Sequence, residues 1–328
     1  MAAFMTPARG SRSPAPSKDA ESLRIAVTGS HGLVGKALVP YLTGRGHQVV
    51  RMVRSAPRGE NEITWDPSRG KLDADDLEGV DAVIHLAGEP ISERWTSTNK
   101  QRIRESRVIG TRTLAEALAS LTKKPRVFVS GSAIGIYGNR GNEWLDESSA
   151  VSNDDFLARV AQEWEAAAEP AARAGIRVVH PRLGIILHPD GGVLERLLSV
   201  FRLGAGGRIG SGDQWLSWIA RTDTVAALHF LLRDDDIRGP VNVVAPNPET
   251  NAQFAKVLGH VISRPAVASV PAMAVRLMLG AEMANATVLS SQRVRPKALD
   301  EYGFRFQYPH LEGALRHELS ASARGSAA

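Results

Sequence analysis

The sequence predicts an α/β protein with a parallel sheet and a smaller α+β lobe after it. Three observations carry that reading. From Leu23 onward short apolar runs alternate with longer segments of helical periodicity. A glycine-rich turn, Gly29 to Gly35, joins the first run to the first helix, and the second half of the chain is less regular. Strands alternating with helices of roughly ten residues or more build βαβ units, and those require a parallel sheet.

Each element follows in order. Leu23–Thr28 (LRIAVT) is a strand ending in glycine, and the stretch 33–45 places Leu33, Val34, Ala37, Leu38, Tyr41 and Leu42 at helical spacing. Gln48–Val53, Asp81–Leu86 and Arg126–Ser130 read as further strands, with a long helical stretch, 98–121, between the last two. A helix over 155–174 precedes a strand at 177–180. Beyond it the pattern predicts helices at 193–202, 222–232 and 251–258 and a short strand at 241–244. Two short helices follow Pro271, then a strand at 303–308 (GFRFQY) and a helix closing near Leu319. Residues 1–22, rich in Pro, Ser and Arg, have little to bury and read as a disordered tail, and the small residues 321–328 as a second. The two domains are then 23–190 and 191–320, with strands free to cross between them.

Composition narrows the function classes. With 328 residues, 43% hydrophobic and 23% charged, the chain has length for a large core. No run approaches the eighteen or so apolar residues of a membrane span, so no membrane is expected. Cys is absent, which excludes disulfides, thiolate nucleophiles and Cys-based metal centres and fits a reducing, cytoplasmic setting. The formal charge of +5, from 40 basic and 35 acidic side chains, reads as a solvated surface rather than a nucleic-acid footprint. No His pair has metal-ligand spacing such as H-E-x-x-H, so no metal site is expected.

The glycine turn is the first chemical signal. Gly29-Ser-His-Gly32-Leu-Val-Gly35 follows a strand and opens a helix, the context in which a glycine pattern points to a dinucleotide. A tight turn falls on Gly29 and bare backbone on Gly32 where a pyrophosphate approaches. Gly35 lets the helix pack on the strand, and the helix N-terminus offers N–H donors. The residue ending the second strand then chooses the cofactor. An acid there binds the ribose hydroxyls of NAD, whereas Val53 is followed here by Arg54, with no acid before Glu60. Arg54 suits a 2′-phosphate and argues for NADP(H).

Several segments together resemble one family. Thr28-Gly29-x-x-Gly32-x-x-Gly35, His85-Leu-Ala-Gly88 and Val129-Ser-Gly-Ser132 running to Tyr137-Gly138 resemble the extended short-chain dehydrogenase/reductases. More narrowly, His85-Leu-Ala-Gly-Glu-Pro90 with Arg94-Trp95, Ser106-Arg107-Val108-x-Gly110-Thr111, Gly191-Gly192, Gly210-Ser-Gly-x-Gln214 and Ser217-Trp218-Ile219 resemble the atypical branch of epimerase-family proteins. So do Val243–Pro246 and a DUF1731-type tail module from Val270-Pro271 through Gln292-Arg293-Val294-x-Pro296 to Gly303-Phe304. The resemblance implies a Rossmann-type, doubly wound sheet, a small C-terminal lobe and an NADP(H) site. Its cofactor residues would be Gly29, His31, Gly32, Leu33, Val34 and Gly35 in the loop, and Val53 and Arg54 at the adenosine end. Leu86, Ala87 and Gly88 would lie under the ribose, Arg102 and Arg107 on the following helix, and Ile186 on the far wall. Five residues separate Arg102 from Arg107, about 140° around a helix, so both face one anion only if a side chain wraps.

The catalytic pattern departs from that superfamily. Active members carry a Tyr and a Lys four residues apart on the helix after the Ser-containing strand. Setting Glu165 against the family's helix Glu puts Leu157 and Ala161 in those places, and neither moves a proton. The remaining candidates are Ser132, at the usual Ser position, and Tyr137, with Glu143, Asp146 and Glu147 beyond. Trp95, Trp215 and Trp218 are candidate walls of a substrate cleft, Trp218 equally a core residue. The reading implied is an oxidoreductase or epimerase-like enzyme on a small carbonyl or sugar-like substrate. The alternative is a catalytically silent NADPH-binding sensor.

Overall fold

In the computed structural model, which describes residues 21–325, the alternation becomes one large sheet with helices on both faces. The expected N-terminal tail thus lies, except for Glu21 and Ser22, outside the described residues, as do the last three. The first half of the chain comprises β1 (Arg24–Thr28), α1 (Gly35–Thr43), β2 (Gln48–Val53), β3 (Glu62–Asp66), β4 (Lys71–Leu72), β5 (Ala82–His85), α2 (Ser97–Ser120), β6 (Val127–Ser130), β7 (Ser132–Ala133), β8 (Trp144–Leu145), α3 (Phe156–Ala167), α4 (Glu169–Arg173) and β9 (Arg177–Leu183). The second comprises β10 (Ile185–Leu187), α5 (Gly192–Arg202), β11 (Gly207–Ile209), β12 (Trp215–Leu216), β13 (Trp218–Ala220), α6 (Arg221–Arg233), β14 (Gly239–Val243), β15 (Glu249–Thr250), α7 (Asn251–Val261), β16 (Ala268–Val270), α8 (Ala272–Leu279), α9 (Ala281–Ala286), β17 (Arg293–Val294), α10 (Lys297–Glu301) and α11 (Leu311–Gly325).

The sheet order is β14-β9-β6-β5-β1-β2-β3-β4, with β7 also on β9, and every pair is parallel except β3 with β4. The chain builds from β1 outward through β2 and β3, then from β5 outward the other way. The order therefore reverses between β1 and β5, and the crevice at their C-terminal ends is where such a sheet leaves room for a ligand.

Alternate residues of a strand face opposite sides, so β1 feeds two cores. Ile25 and Val27 pack with Leu38 and Leu42 of α1 and Leu228 and Leu231 of α6. Ala26 joins Val50, Val83 and Phe128 against Leu114 and Leu118 of α2. A third core belongs to the smaller lobe, where Leu194, Leu198 and Phe201 of α5 meet Trp218, Phe254 and Leu315. The halves interleave. β14 and α6 come from beyond residue 191, yet β14 pairs with β9 and α6 packs on the α1 side of the large sheet.

The expected helix over 155–174 is two helices, α3 and α4, and several two- or three-residue strands join the unpredicted elements. Three further differences bear on packing. The stretch Glu62–Asp66, for which no strand is predicted, pairs with β2 and buries Ile63 and Trp65 on alternate positions. Its flanking acids hide that alternation from a hydropathy reading. The strand expected at 303–308 is not formed: Phe304 and Phe306 pack against the first core, and the amides of Gln307 and Tyr308 donate to the two carboxylate oxygens of Asp223 at 2.8 and 2.9 Å. A buried side chain takes the donors that a ladder would have used. The closing helix continues past Leu319 to Gly325, so 321–325 is helical rather than tail. Alanine, the best helix former, supplies two of its residues there.

Candidate functional site

The glycine turn lies on the crevice between β1 and β5. Gly29 has φ +67°, and a Cβ on it would come within 2.8 Å of the Leu86 carbonyl carbon and oxygen. At Gly35 a Cβ would lie 2.2 Å from the Gly29 carbonyl oxygen. Both positions thus exclude any side chain, one by conformation and contact, the other by contact alone. Gly32 is different: it is exposed, and an added Cβ would meet only the Gly29 oxygen, at 3.2 Å. Its backbone is open to an approaching group. No side chain caps the N-terminus of α1, and its first turn holds no acid. That end of the helix keeps its positive potential for a ligand.

A buried pair holds the opposite rim. The Thr28 hydroxyl oxygen accepts from the amides of Leu86 (3.0 Å) and Ala87 (3.2 Å) and lies 2.7 Å from His85 Nδ1. With both acceptor sites used, the hydroxyl proton goes to Nδ1, which leaves His85 protonated on Nε2. His85 is fully buried, edge-on to Trp65, and burial with the nearby Arg107 charge pushes its pKa down to about 3. It is a neutral packing residue that sets Leu86 and Ala87 against Gly29.

The other expected cofactor residues gather around this rim. Val53 is buried, while Arg54, His31 and Gly88 are exposed. Leu86 and Ile186 both pack, partly buried, on the first core. Leu33 reaches the start of α5, where a Cβ on Gly191 would meet its Cδ1 at 2.9 Å. Arg107 lies beneath Gly88 and donates to the carbonyls of Glu89 (3.0 Å) and Ile103 (3.1 Å). Burial lowers its pKa to about 10, so it stays cationic at neutral pH. Arg102 and Arg54 flank the Glu89 carboxylate at 3.6 and 3.9 Å. Arg102 and Arg107 therefore converge on one residue in spite of their angular separation, one on its carboxylate and one on its carbonyl. In the sequence Glu89 is one residue of the His85–Pro90 motif, and no spacing rule gives it a role.

Around Ser132 and Tyr137, the candidates expected from the sequence, a closed network stands. The Ser132 hydroxyl donates to Glu165 Oε1 (2.7 Å), and Arg182 grips the same carboxylate with Nε and Nη2 at 2.8 and 2.9 Å. Arg182 Nη1 donates to the Tyr137 hydroxyl (2.9 Å), which donates to Asn242 Oδ1 (2.8 Å). Burial works against both charges. The bidentate pair outweighs it, holding Glu165 below and Arg182 above their ordinary pKa ranges. Tyr137 is fully buried and its pKa is raised by that burial, so its hydroxyl is spent inside the protein. Leu157 is partly buried and Ala161 lies in the core beside Tyr137.

The three acids of the following loop also have partners. Glu143 pairs with Arg140, and Asp146 with Arg295. Glu147 accepts from the amides of Asn242 and Ala298. Sequence reasoning missed Glu165, Arg182 and Asn242 as a unit. Glu165 served there only as an alignment marker, and no spacing rule links a helix residue to a strand residue 17 positions on.

Trp218 is core, and Trp95 packs edge-on to Phe156. Trp215 lines a cleft of about 630 Å³ with Asn139, Asn142, Gln214, Arg276 and Ser291, away from the glycine turn. Among the described residues no group of three or more metal-ligating side chains comes together, and no helix is long and apolar enough to cross a membrane.

A model of the NAD dependent epimerase/dehydratase family matches residues 25–244. The chain belongs to that family. A second model, the domain of unknown function DUF1731, matches residues 270–318. Epimerase family protein Mb2239 of Mycobacterium bovis is 39% identical over 292 residues, covering 89% of this chain and 96% of the relative. Epimerase family protein YfhF of Bacillus subtilis is 37% identical over 297 residues, covering 89% and 97%. The crystal structure of human epimerase family protein SDR39U1 (isoform 2) with NADPH superposes with a TM-score of 0.83 at 32% identity, covering 91% of this chain and 99% of that one. Within the epimerase/dehydratase family, this member has the glycine turn Gly29–Gly35, with Leu157 and Ala161 on α3.

Proposed function

We propose that this epimerase-family protein binds NADP(H) across the β1–β5 crevice and acts as an oxidoreductase or epimerase-like enzyme on a small carbonyl or sugar-like substrate. The crevice fits the cofactor: two glycines that exclude any Cβ flank an exposed third, beside an uncapped helix N-terminus. The single observation that supports the phosphate assignment is the pair of guanidinium groups, Arg54 and Arg102, that converge on one carboxylate oxygen, an arrangement suited to an anion. The Gly29–Gly35 backbone would hold the pyrophosphate, Leu86, Ala87 and Gly88 the ribose, and Leu33 and Ile186 the far wall. NADP(H) supplies the hydride chemistry. This chain's own part is to orient the cofactor, close its pocket with apolar side chains, and hold a proton at Ser132 Oγ against Glu165.

A second reading is favoured by one observation. The Ser132 and Tyr137 hydroxyls are both committed to internal partners, as suits a catalytically silent protein that reports cofactor state. Calorimetric titration tests the shared claim. NADPH should bind more tightly than NADH, and Arg54→Ala should lose about 1.5 kcal/mol of that preference, the low end for a charge-assisted bond because Arg54 is exposed. Equal affinities, or an unchanged preference in the variant, would sink it. Turnover of carbonyl or nucleotide-sugar substrates that falls in Ser132→Ala supports the enzyme, and tight binding with no turnover supports the sensor.

A further inference from the structure

We infer that Glu89 sets cofactor specificity: its carboxylate holds, in the free protein, the place between Arg54 and Arg102 that the 2′-phosphate of NADPH takes over, and so tempers the preference for NADPH over NADH. The inference rests on the NADP(H) reading above and adds a residue that opposes it.

Glu89 Oε1 lies 3.9 Å from Arg54 Nη1 and 3.6 Å from Arg102 Nη2, within ion-pair range yet too long for hydrogen bonds. The guanidinium side chains are 76% and 53% exposed and come from separate places, the residue just after β2 and the first half of α2. Such a loose, wet pairing is worth little in itself, so a better anion displaces it easily. A phosphate monoester brings nearly two charges and three acceptor oxygens where the carboxylate brings one and two.

The backbone of Glu89 is fixed while its side chain is not. Its amide donates to Ser106 Oγ at 3.0 Å, and its carbonyl accepts from Arg107 Nη1 at 3.0 Å. Rotation about the side chain therefore clears the space without moving the loop that carries Leu86 to Gly88. An acid at the ribose end is also the group that binds the hydroxyls of NADH. No acid follows β2 before Glu60 in the sequence, but the fold brings Glu89 there from the loop after β5. One carboxylate thus competes with a 2′-phosphate and accepts from a 2′-hydroxyl.

Calorimetric titration of NADPH and NADH into wild type, Glu89→Gln and Arg102→Ala tests this, with melting temperatures confirming that each variant is folded. Glu89→Gln should bind NADPH more tightly and NADH less tightly, raising the ratio about tenfold as a like charge is removed beside the phosphate. Arg102→Ala should weaken NADPH about fivefold or more and leave NADH nearly unchanged. A folded Glu89→Gln protein with an unchanged or lower NADPH/NADH ratio overturns the inference while the NADP(H) reading stands. Binding of neither cofactor by wild type overturns both.

Discussion

The β1–β5 crevice and the network around Arg182 use the same residue types, Arg, Glu and hydroxyl groups, at the C-terminal side of one sheet. They differ in how many of their bonds are already made. At the crevice Arg54 and Arg102 hold one carboxylate loosely at the surface, Gly32 lies bare, and the α1 N-terminus is uncapped. At the network every hydroxyl and guanidinium named has an internal partner under 3 Å, with Arg182 and Tyr137 buried. Spare bonding capacity marks a surface that waits for a ligand. A satisfied, buried set marks a place that has become structure. The contrast is between polar groups with capacity left for a ligand and hydroxyls that already have internal partners.

The largest test removes the network's cation. Arg182→Met leaves Glu165, 15% exposed, as an unpaired carboxylate and should cost about 3–5 kcal/mol in urea unfolding. NADPH affinity of the folded variant should stay within a factor of about two, because none of the crevice groups is touched. A parallel loss of affinity would mean the two regions act as one unit, and the comparison would fail.

A smaller effect is expected at the other region. In Gly35→Ala the new methyl must displace the Gly29 carbonyl, 2.2 Å away, at about 1–3 kcal/mol of stability. Here NADPH binding should disappear, since the turn itself moves. Titration that still shows binding would argue that the pyrophosphate lies elsewhere.

The smallest effect sharpens the network's outer boundary. Asp146, beside Ser148 and Arg295, has its carboxyl held down to about 2. A lowered folded pKa stabilises the protein above the unfolded value near 4 and loses that contribution as pH falls through about 2. Wild type should exceed Asp146→Asn in unfolding free energy from urea titration at pH 6 by less than about 1 kcal/mol, since Arg295 is half exposed. The two values should converge toward pH 2, and a gap that persists there would assign the difference to packing instead.

Much of the fold was legible because its signals are local. The apolar periods of β1, α1, β2, β5, α2 and β6 reflect which face each segment buries, and the spacing of Gly29, Gly32 and Gly35 reflects steric limits within one turn. The helix carrying Leu157 and Ala161 was legible for the same reason. Arg54 was legible as a cation directly after a strand, and the fold sets it 3.9 Å from the Glu89 carboxylate.

What the tertiary structure alone decided are partnerships between distant segments. The amides of Gln307 and Tyr308, offered by an apolar run that reads as a strand, were claimed by Asp223 some 84 residues earlier, and the run became coil. The hydroxyls of Ser132 and Tyr137 look like proton donors in sequence, yet Glu165 and Asn242 had taken them. Glu89 sat unassigned in a motif until the fold set it between two arginines 35 residues before it and 13 after. Sterics and burial periodicity act between near neighbours in the chain, so the sequence by itself determined the α/β class with its parallel strands and the glycine turn. Hydrogen bonds and charge pairs act over a few ångströms in space whatever the separation in sequence, so only the folded chain decided which polar groups were left for a ligand.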